Sequence, residues 1–147
     1  SKGASKSVTV GLPNNGQNLV CSGVRTDTAS YQANGQGYGL TQAGMANYLA
    51  AYLGPAGPHG LTEPWRAAPI LAASLKGLPP ALVLTAGFDP LRDEGEAYGK
   101  RLNDAGVATE VVRGEGLVHG FLSMINYAPS AGKAFDRMAA AIAKATG

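Results

Sequence analysis

The stretch Ala81-Leu-Val-Leu-Thr-Ala-Gly-Phe-Asp89-Pro-Leu-Arg-Asp-Glu-Gly-Glu96 decides the fold of this chain. It opens with an unbroken apolar run, residues 81–84, which is short enough for a β-strand and apolar enough to be buried on both faces. Gly87 permits a backbone bend, and Asp89 follows just beyond the run. Pro90 disfavours helical dihedrals at Asp89 but fits the first turn of a helix. The stretch therefore predicts a strand, an acid-bearing loop and a helix. Its carboxylate lies at the carboxyl end of a buried strand, where open α/β sheets place their sites.

Charges and a glycine mark the two ends of this predicted helix. Three acids crowd its start, where the helix dipole favours negative charge: Asp93, Glu94 and Glu96. Lys100 and Arg101 lie near its other end, and Gly106 supplies a C-terminal stop. We expect a helix over about 93–105. Its packing residues would be Ala97, Tyr98, Leu102 and Ala105.

A second stretch, Thr109-Glu-Val-Val-Arg-Gly-Glu-Gly-Leu-Val-His119-Gly-Phe121, has a similar organisation. It predicts a short strand that ends at Gly114 and Gly116, followed by His119. The two predicted strand ends thus carry an acid and then a histidine. A carboxylate that accepts a hydrogen bond from one imidazole nitrogen fixes the tautomer of the ring and stabilises its protonated form, as a general base requires.

Each of these residues also has a purely structural interpretation. Aspartate is common in turns and at helix starts, which would account for Asp89 on its own. The other histidine, His59, is flanked by turn residues rather than by a strand, and we interpret it as a solvated loop histidine. The order of Asp89 and His119 at two successive strand ends is what favours a catalytic interpretation of that pair.

The motifs Asp-Pro-Leu-Arg-Asp-Glu-Gly-Glu (89–96) and His-Gly-Phe (119–121) resemble those of the hormone-sensitive-lipase-like carboxylesterases, within the α/β-hydrolase superfamily. Gly-Leu-Pro-Pro-Ala (77–81) and Gly-Tyr-Gly-Leu-Thr (37–41) resemble the same family, and the likeness extends over roughly residues 17–145. The resemblance implies the C-terminal part of an α/β-hydrolase fold, with a mainly parallel sheet flanked by helices. It also implies that Asp89 is the acid and His119 the base of a catalytic triad.

Two signatures of that family, the Gly-x-Ser-x-Gly elbow and the His-Gly-Gly oxyanion loop, do not occur in the 147 residues. The segment Ser1-Lys-Gly-Ala falls about where the elbow serine would lie. The strand and the glycine that should precede that serine are missing, so Ser1 is not assigned as a nucleophile. Asp89 and His119 are the catalytic residues that we predict.

The rest of the chain is expected to form part of the same domain, a single partial α/β-hydrolase domain over 1–147. Residues 1–16 are predicted to be irregular, and 19–21 a short strand. Residues 26–39 are predicted to be a polar, glycine-rich loop. The region 40–75 is predicted as a helix followed by a Pro-rich loop, and 81–147 as strand, helix, strand and helix.

Two helices outside the motifs carry apolar stripes at three- and four-residue steps. Thr41 is a predicted N-cap for a helix to about Leu53. Its stripe, which we assign to core or lid packing, comprises Met45, Tyr48, Leu49, Tyr52 and Leu53. The last helix is predicted over about 130–145. Its apolar face comprises Phe135, Met138 and Ile142.

Composition excludes several classes of function. Apolar and charged contents of 45% and 15% suit a globular domain of 147 residues. The net charge of +2 is too small to predict binding to nucleic acid or to an anionic membrane. No run approaches the roughly 18 apolar residues of a membrane span, and we expect no signal peptide from the first residues given. The single cysteine, Cys21, supplies neither an intramolecular disulfide nor a metal cluster. We therefore expect no cofactor, no metal and a cytoplasmic location.

Three functions remain open at the level of the sequence. The first is a serine carboxylesterase acting on a small acyl ester. The second is a non-catalytic fragment or degenerate binding module that needs a partner segment. The third is one half of a split hydrolase. A missing N-terminal half or a second copy of the chain is the partner that we expect.

Overall fold

The computed structural model describes residues 26–54 and 61–146. The helices are α1 (Ala29–Asn34), α2 (Gln42–Leu53), α3 (Arg92–Asp104) and α4 (Pro129–Thr146). The strands are β1 (Ala81–Phe88) and β2 (Thr109–Val118). Short 3₁₀ turns lie at Pro64–Arg66, Pro69–Leu71 and Phe121–Met124. The expected order of strand, helix, strand and helix is therefore present from β1 to α4.

The two strands are parallel neighbours, paired from Ala81 with Thr109 to Ala86 with Gly114, and again from Phe88 to Val118. Parallel strands need a crossover, which α3 provides. Because the strands run in the same direction, the residues that follow them lie at the same edge of the sheet. The predicted fold class, a parallel sheet flanked by helices, is confirmed.

Helices cover both faces of this sheet. On the face of Ala81 and Val83, a core forms around Leu75, Tyr98, Leu102 and Val107. On the opposite face, Ala86 packs with Leu117 and with Ala131 of α4. Successive strand residues point to opposite faces, so odd-numbered β1 residues contact α3 and Ala86 contacts α4.

Both strands extend further than the sequence predicted. β1 continues through Gly87 to Phe88, and β2 continues through Gly114 and Gly116 to Val118. The pairing is irregular between Ala86 and Phe88, where Gly87 faces several residues of β2. Such a bulge lets a strand pass through glycines without ending. The apolar run 81–84 is only partly buried, with Leu82 its one buried member, so the prediction of burial on both faces was wrong there.

The prediction of an irregular loop over 26–39 was also wrong, because α1 lies within it. The side chain of Thr28 accepts a hydrogen bond from the backbone N–H of Tyr31 and so caps this short helix. Ser30, Tyr31 and Asn34 are buried. A six-residue helix is held by such tertiary contacts and not by propensity, which is why the local sequence did not indicate it.

The other helices begin and end close to the predicted residues, but their buried faces are narrower. Thr41 caps α2 as predicted, accepting a bond from the N–H of Gly44. Within α2, Met45 is buried, whereas Tyr48 and Tyr52 are 62% and 63% exposed, so the prediction of core packing is correct for Met45 and wrong for the two tyrosines. In α4, Met138 is buried but Phe135 and Ile142 are exposed.

In α3 the predicted packing face is correct for Tyr98 and Leu102, which are buried, and for Ala105, which packs against them. Ala97 was assigned to that face wrongly, because it is exposed.

Several predictions fall on residues outside the described ranges: Ser1, the segment 1–16, the strand 19–21, Cys21 and His59. Within 26–54 and 61–146, no helix combines the length and the apolar character that a bilayer crossing needs.

Candidate active site

Asp89 follows β1 directly and is held in a fixed orientation. It is only 8% exposed. Its Oδ1 accepts a hydrogen bond of 2.8 Å from the backbone N–H of Leu91, and its backbone carbonyl accepts one of 3.2 Å from the N–H of Arg92. These bonds start the turn that leads into α3. With Oδ1 engaged by the backbone, Oδ2 is the oxygen left to face another group.

His119 follows β2 directly and lies in a turn. Gly120, the next residue, has a φ of +77°, a conformation that side chains other than glycine rarely adopt. Leu117 and Phe121, on either side of the histidine, belong to the apolar cluster around Ala131 of α4. His119 is therefore anchored on both sides by packing.

The two residues meet at the carboxyl edge of the sheet, as the sequence predicted. His119 Nδ1 lies 2.9 Å from Asp89 Oδ2, although the residues are 30 positions apart. In the neutral tautomer that carries its proton on Nδ1, the ring donates to the carboxylate and Nε2 is free to accept a proton. No hydrogen bond to Nε2 is found within the described residues, and the histidine side chain is 23% exposed. The geometry suits a general base that is oriented by an acid.

The turn after Asp89 is itself held by α1, whose residues the sequence did not single out. Ser30 bonds to both Pro90 and Asp93. Partial burial alone would raise the pKa of Asp93, but the bonds from the Ser30 N–H and from Arg92 outweigh burial and lower that pKa below its usual value of 3.8. No local signal marks Ser30 as part of the site, because its partners lie some sixty residues further along the chain.

The buried phenol of Tyr31 lies near the carboxylates of Glu94 and Asp89. Tyr31 is 1% exposed, and its hydroxyl has no hydrogen-bond partner within the described residues. Burial raises the pKa of Tyr31, and the nearby carboxylates of Glu94 and Asp89 raise it further. The hydroxyl therefore stays neutral beside these acids.

A metal-binding cluster was not expected from the sequence. Among residues 26–54 and 61–146, no group of three or more His, Cys, Asp or Glu side chains is placed to hold a metal ion. Several of the described carboxylates instead form pairs with cations, such as Glu96 with Arg113 at 2.6 Å.

A parallel βαβ unit with a buried acid and a histidine at the carboxyl ends of its strands is typical of the α/β hydrolases. Comparison with known proteins agrees, because the family described as having an alpha/beta hydrolase fold matches residues 4–123. The chain belongs to the α/β-hydrolase fold family, and its predicted resemblance to the carboxylesterases of that family is confirmed.

Several of the similar proteins are ester hydrolases. The chain is 43% identical over 109 residues to the carboxylic ester hydrolase LipN of Mycobacterium tuberculosis, a match that covers 68% of this chain and 27% of LipN. It is 43% identical to a thermostable esterase from Pseudomonas putida, with a TM-score of 0.68 over 76% of this chain and 35% of that one. A fungal esterase structure from Rhizomucor miehei gives 30% identity and a TM-score of 0.74, covering 85% of this chain and 38% of that one.

The chain thus spans about a quarter of the length of LipN and somewhat over a third of each of these two esterase structures. The relatives named above are described as a carboxylic ester hydrolase or as esterases.

Proposed function

We propose that this chain contributes the acid and the base of a serine carboxylesterase that acts on a small acyl ester. The observation that carries the proposal is the 2.9 Å contact between His119 Nδ1 and Asp89 Oδ2. The carboxylate holds the imidazole in the tautomer whose Nε2 accepts a proton, and it stabilises the imidazolium that forms. The esterase relatives support the substrate class.

The proposed reaction proceeds in two stages. A serine hydroxyl attacks the ester carbonyl while His119 Nε2 takes its proton, and the tetrahedral intermediate collapses as the imidazolium returns that proton to the leaving alcohol. Water then attacks the acyl-enzyme with the same histidine as base, which releases the acid and restores the serine. Backbone N–H donors stabilise the oxyanion in both stages.

The serine and the oxyanion donors come, in this proposal, from a segment that carries the elbow and the glycine loop, because the 147 residues contain neither motif. That segment belongs either to the same polypeptide or to a partner. Each strand pairs on one edge only within the described residues, so the sheet has places for further strands. A single cysteine is compatible with a cytoplasmic location, which we propose for the enzyme.

A second candidate function is a hydrolase-like binding module without turnover. It is the alternative that applies if no segment with the elbow serine joins these 147 residues. A module of this kind would use the edge at Asp89 and His119 to hold an ester or acid without cleaving it.

A complementation assay separates the two candidates. The chain alone is expected to hydrolyse p-nitrophenyl acetate no faster than free imidazole at equal concentration. Mixing it with a segment from an esterase relative that carries the glycine loop and the elbow serine should give turnover, which His119→Ala should abolish.

The matched control in this assay is His59→Ala, which removes the other histidine of the chain and should leave turnover in place. Binding of the ester without turnover in the mixture would favour the binding module. Efficient hydrolysis by the chain alone that disappears on Ser1→Ala would contradict the proposal, because Ser1 would then be the nucleophile.

A further inference from the structure

The turn that carries Asp89 is held by a helix from a distant part of the chain. We call residues 87–93, which run from the end of β1 through Asp89 to the first residues of α3, the acid loop. The Ser30 hydroxyl donates a 2.6 Å hydrogen bond to the Pro90 carbonyl and accepts one of 3.3 Å from the N–H of Asp93. The Ser30 N–H donates a 2.8 Å bond to Asp93 Oδ2. One serine on α1 therefore binds the acid loop at three points, just beyond the acid itself.

A second residue of α1 reaches the other side of Asp89. The Asn34 amide nitrogen lies 3.4 Å from the Gly87 carbonyl and 3.5 Å from the Asp89 carbonyl, which are long hydrogen bonds. Arg92 Nη1 donates a shorter bond of 3.0 Å to the same Gly87 carbonyl. Asn34 therefore contributes less than Ser30, and part of its role is shared with Arg92.

Burial makes these contacts costly to lose. Ser30 is fully buried and Asn34 is 5% exposed, so water cannot replace a lost partner easily. The bonded groups at positions 87, 89, 90 and 93 lie on both sides of the Asp89 Cα. Fixing them fixes the direction in which the carboxylate leaves the backbone.

We infer that Ser30, with a smaller contribution from Asn34, is a positioning residue of the site, which sets the Asp89 carboxylate so that Oδ2 meets His119. The inference rests on the proposed function, in which the Asp89–His119 bond sets the tautomer of the base. Within the described residues, neither Ser30 nor Asn34 is hydrogen-bonded to the imidazole. Their effect is transmitted through the acid loop, and a misplacement of about 1 Å in such a loop weakens catalysis strongly.

The experiment is NMR of the full 147-residue chain with ¹⁵N-labelled histidine, which observes the proton between His119 Nδ1 and Asp89 directly. Loss of this proton in Asp89→Asn identifies it. Ser30→Ala removes the two hydroxyl bonds to the acid loop. We expect the proton to exchange with water at least on the order of tenfold faster in this variant, since each buried hydrogen bond holds an opening reaction closed by up to about that factor. In Asn34→Ala we expect a smaller acceleration in the same direction.

The matched control is Asn103→Ala. Asn103 bonds to the N–H and to the carbonyl of Thr109, each at 3.1 Å, at the start of β2 and so at the opposite end of the sheet. That variant removes two side-chain bonds to backbone and should leave the His119 proton unchanged. Amide exchange of β1 residues, measured in the same samples, shows that each variant is folded. Should Ser30→Ala unfold, Asn34→Ala provides the test.

The outcomes separate the inference from the proposed function. If the His119 proton is present in the unsubstituted chain but exchanges no faster in Ser30→Ala or Asn34→Ala, the inference alone is overturned. Equal acceleration by Asn103→Ala would also overturn it, because the effect would then reflect general stability. Absence of any Asp89-dependent proton in the unsubstituted chain would overturn the proposed function together with the inference.

Discussion

The backbone of Gly87 lies against the backbone carbonyl of Glu115, so closely that a Cβ at position 87 would overlap that oxygen. This contact occurs where the pairing of β1 and β2 is irregular, between Ala86 and Phe88. The bulge brings the end of β1 next to the end of β2 and so places Asp89 within reach of His119. A glycine is required here for close approach of two backbones, and not for an unusual dihedral angle.

We therefore expect Gly87→Ala to destabilise the chain by about 1–3 kcal/mol, the usual cost of forcing an extra carbon into a packed site. The strands must move apart at the bulge, which also weakens the bond between Asp89 and His119. The measurement is the free energy of unfolding in urea.

The matched control for that substitution is Gly116→Ala. A Cβ at Gly116 meets nothing within 4 Å, although the residue lies in the same bulge. Its free energy of unfolding should stay close to that of the unsubstituted chain. An equal loss of stability in both variants would show that strand propensity, and not the contact with Glu115, is responsible.

Two partly buried carboxylates predict how stability depends on pH. The bidentate bond from Arg113 lowers the pKa of Glu96, against the effect of partial burial and with help from Thr85. The pKa of Asp93 is lowered as well. A lowered pKa means that the folded chain binds fewer protons than the unfolded chain, so stability is fully present above the ordinary carboxyl pKa values and is lost as the pH falls below them.

We expect the free energy of unfolding to fall as the pH decreases from about 5 to about 3. Asp93→Asn and Glu96→Gln should each make this fall shallower, because each removes a carboxylate whose protonation lowers the stability of the folded chain. Urea unfolding at several pH values measures the slope. The control is Asp104→Asn, which removes an exposed carboxylate paired with Lys100 and worth little at the surface. A slope that neither substitution changes would contradict the prediction.

Association is expected from the sheet, whose strands each pair on one edge only within the described residues. A strand with a free edge offers unpaired N–H and carbonyl groups to another chain. Light scattering should detect self-association of the chain at high concentration, and a complementary esterase segment should replace it with a heterodimer. A chain that stays monomeric and does not bind the added segment would contradict this prediction and weaken the split-hydrolase hypothesis.

The sequence predicted the parts of this fold whose signals are local. The apolar run before Asp89, the cap at Thr41 and the glycine stop at 106 each act within a few residues, and the corresponding elements form. The order of Asp89 and His119 at two parallel strand ends was enough to predict their meeting, because parallel strands share an edge.

The predictions that failed depend on distant contacts. Helix α1 exists because Ser30 bonds to residues 60 and 63 positions away, and no periodic pattern in its six residues indicates that. Likewise, β2 continues past Gly114 because Gly87 allows β1 to follow it through a bulge. In both cases a tertiary contact determines the local structure, and the same contacts shape the candidate site.

The last prediction concerns Asp89→Asn in the complemented esterase. The amide can still accept the bond from the N–H of Leu91 with its oxygen, which leaves its NH₂ group facing His119 Nδ1. Two donors cannot share that bond, so the imidazole is expected to move its proton to Nε2, the atom that must accept the proton of the serine. In a serine protease the equivalent change lowers kcat by about 10⁴-fold while leaving the geometry intact. We expect a loss of similar size here, with KM little changed, because ester binding does not involve the carboxylate.

Steady-state hydrolysis of p-nitrophenyl acetate measures the loss of kcat, and Asp104→Asn is the matched control that should retain full activity. A loss of less than about tenfold would mean that His119 does not depend on Asp89 for its tautomer. The short contact between them would then be structural.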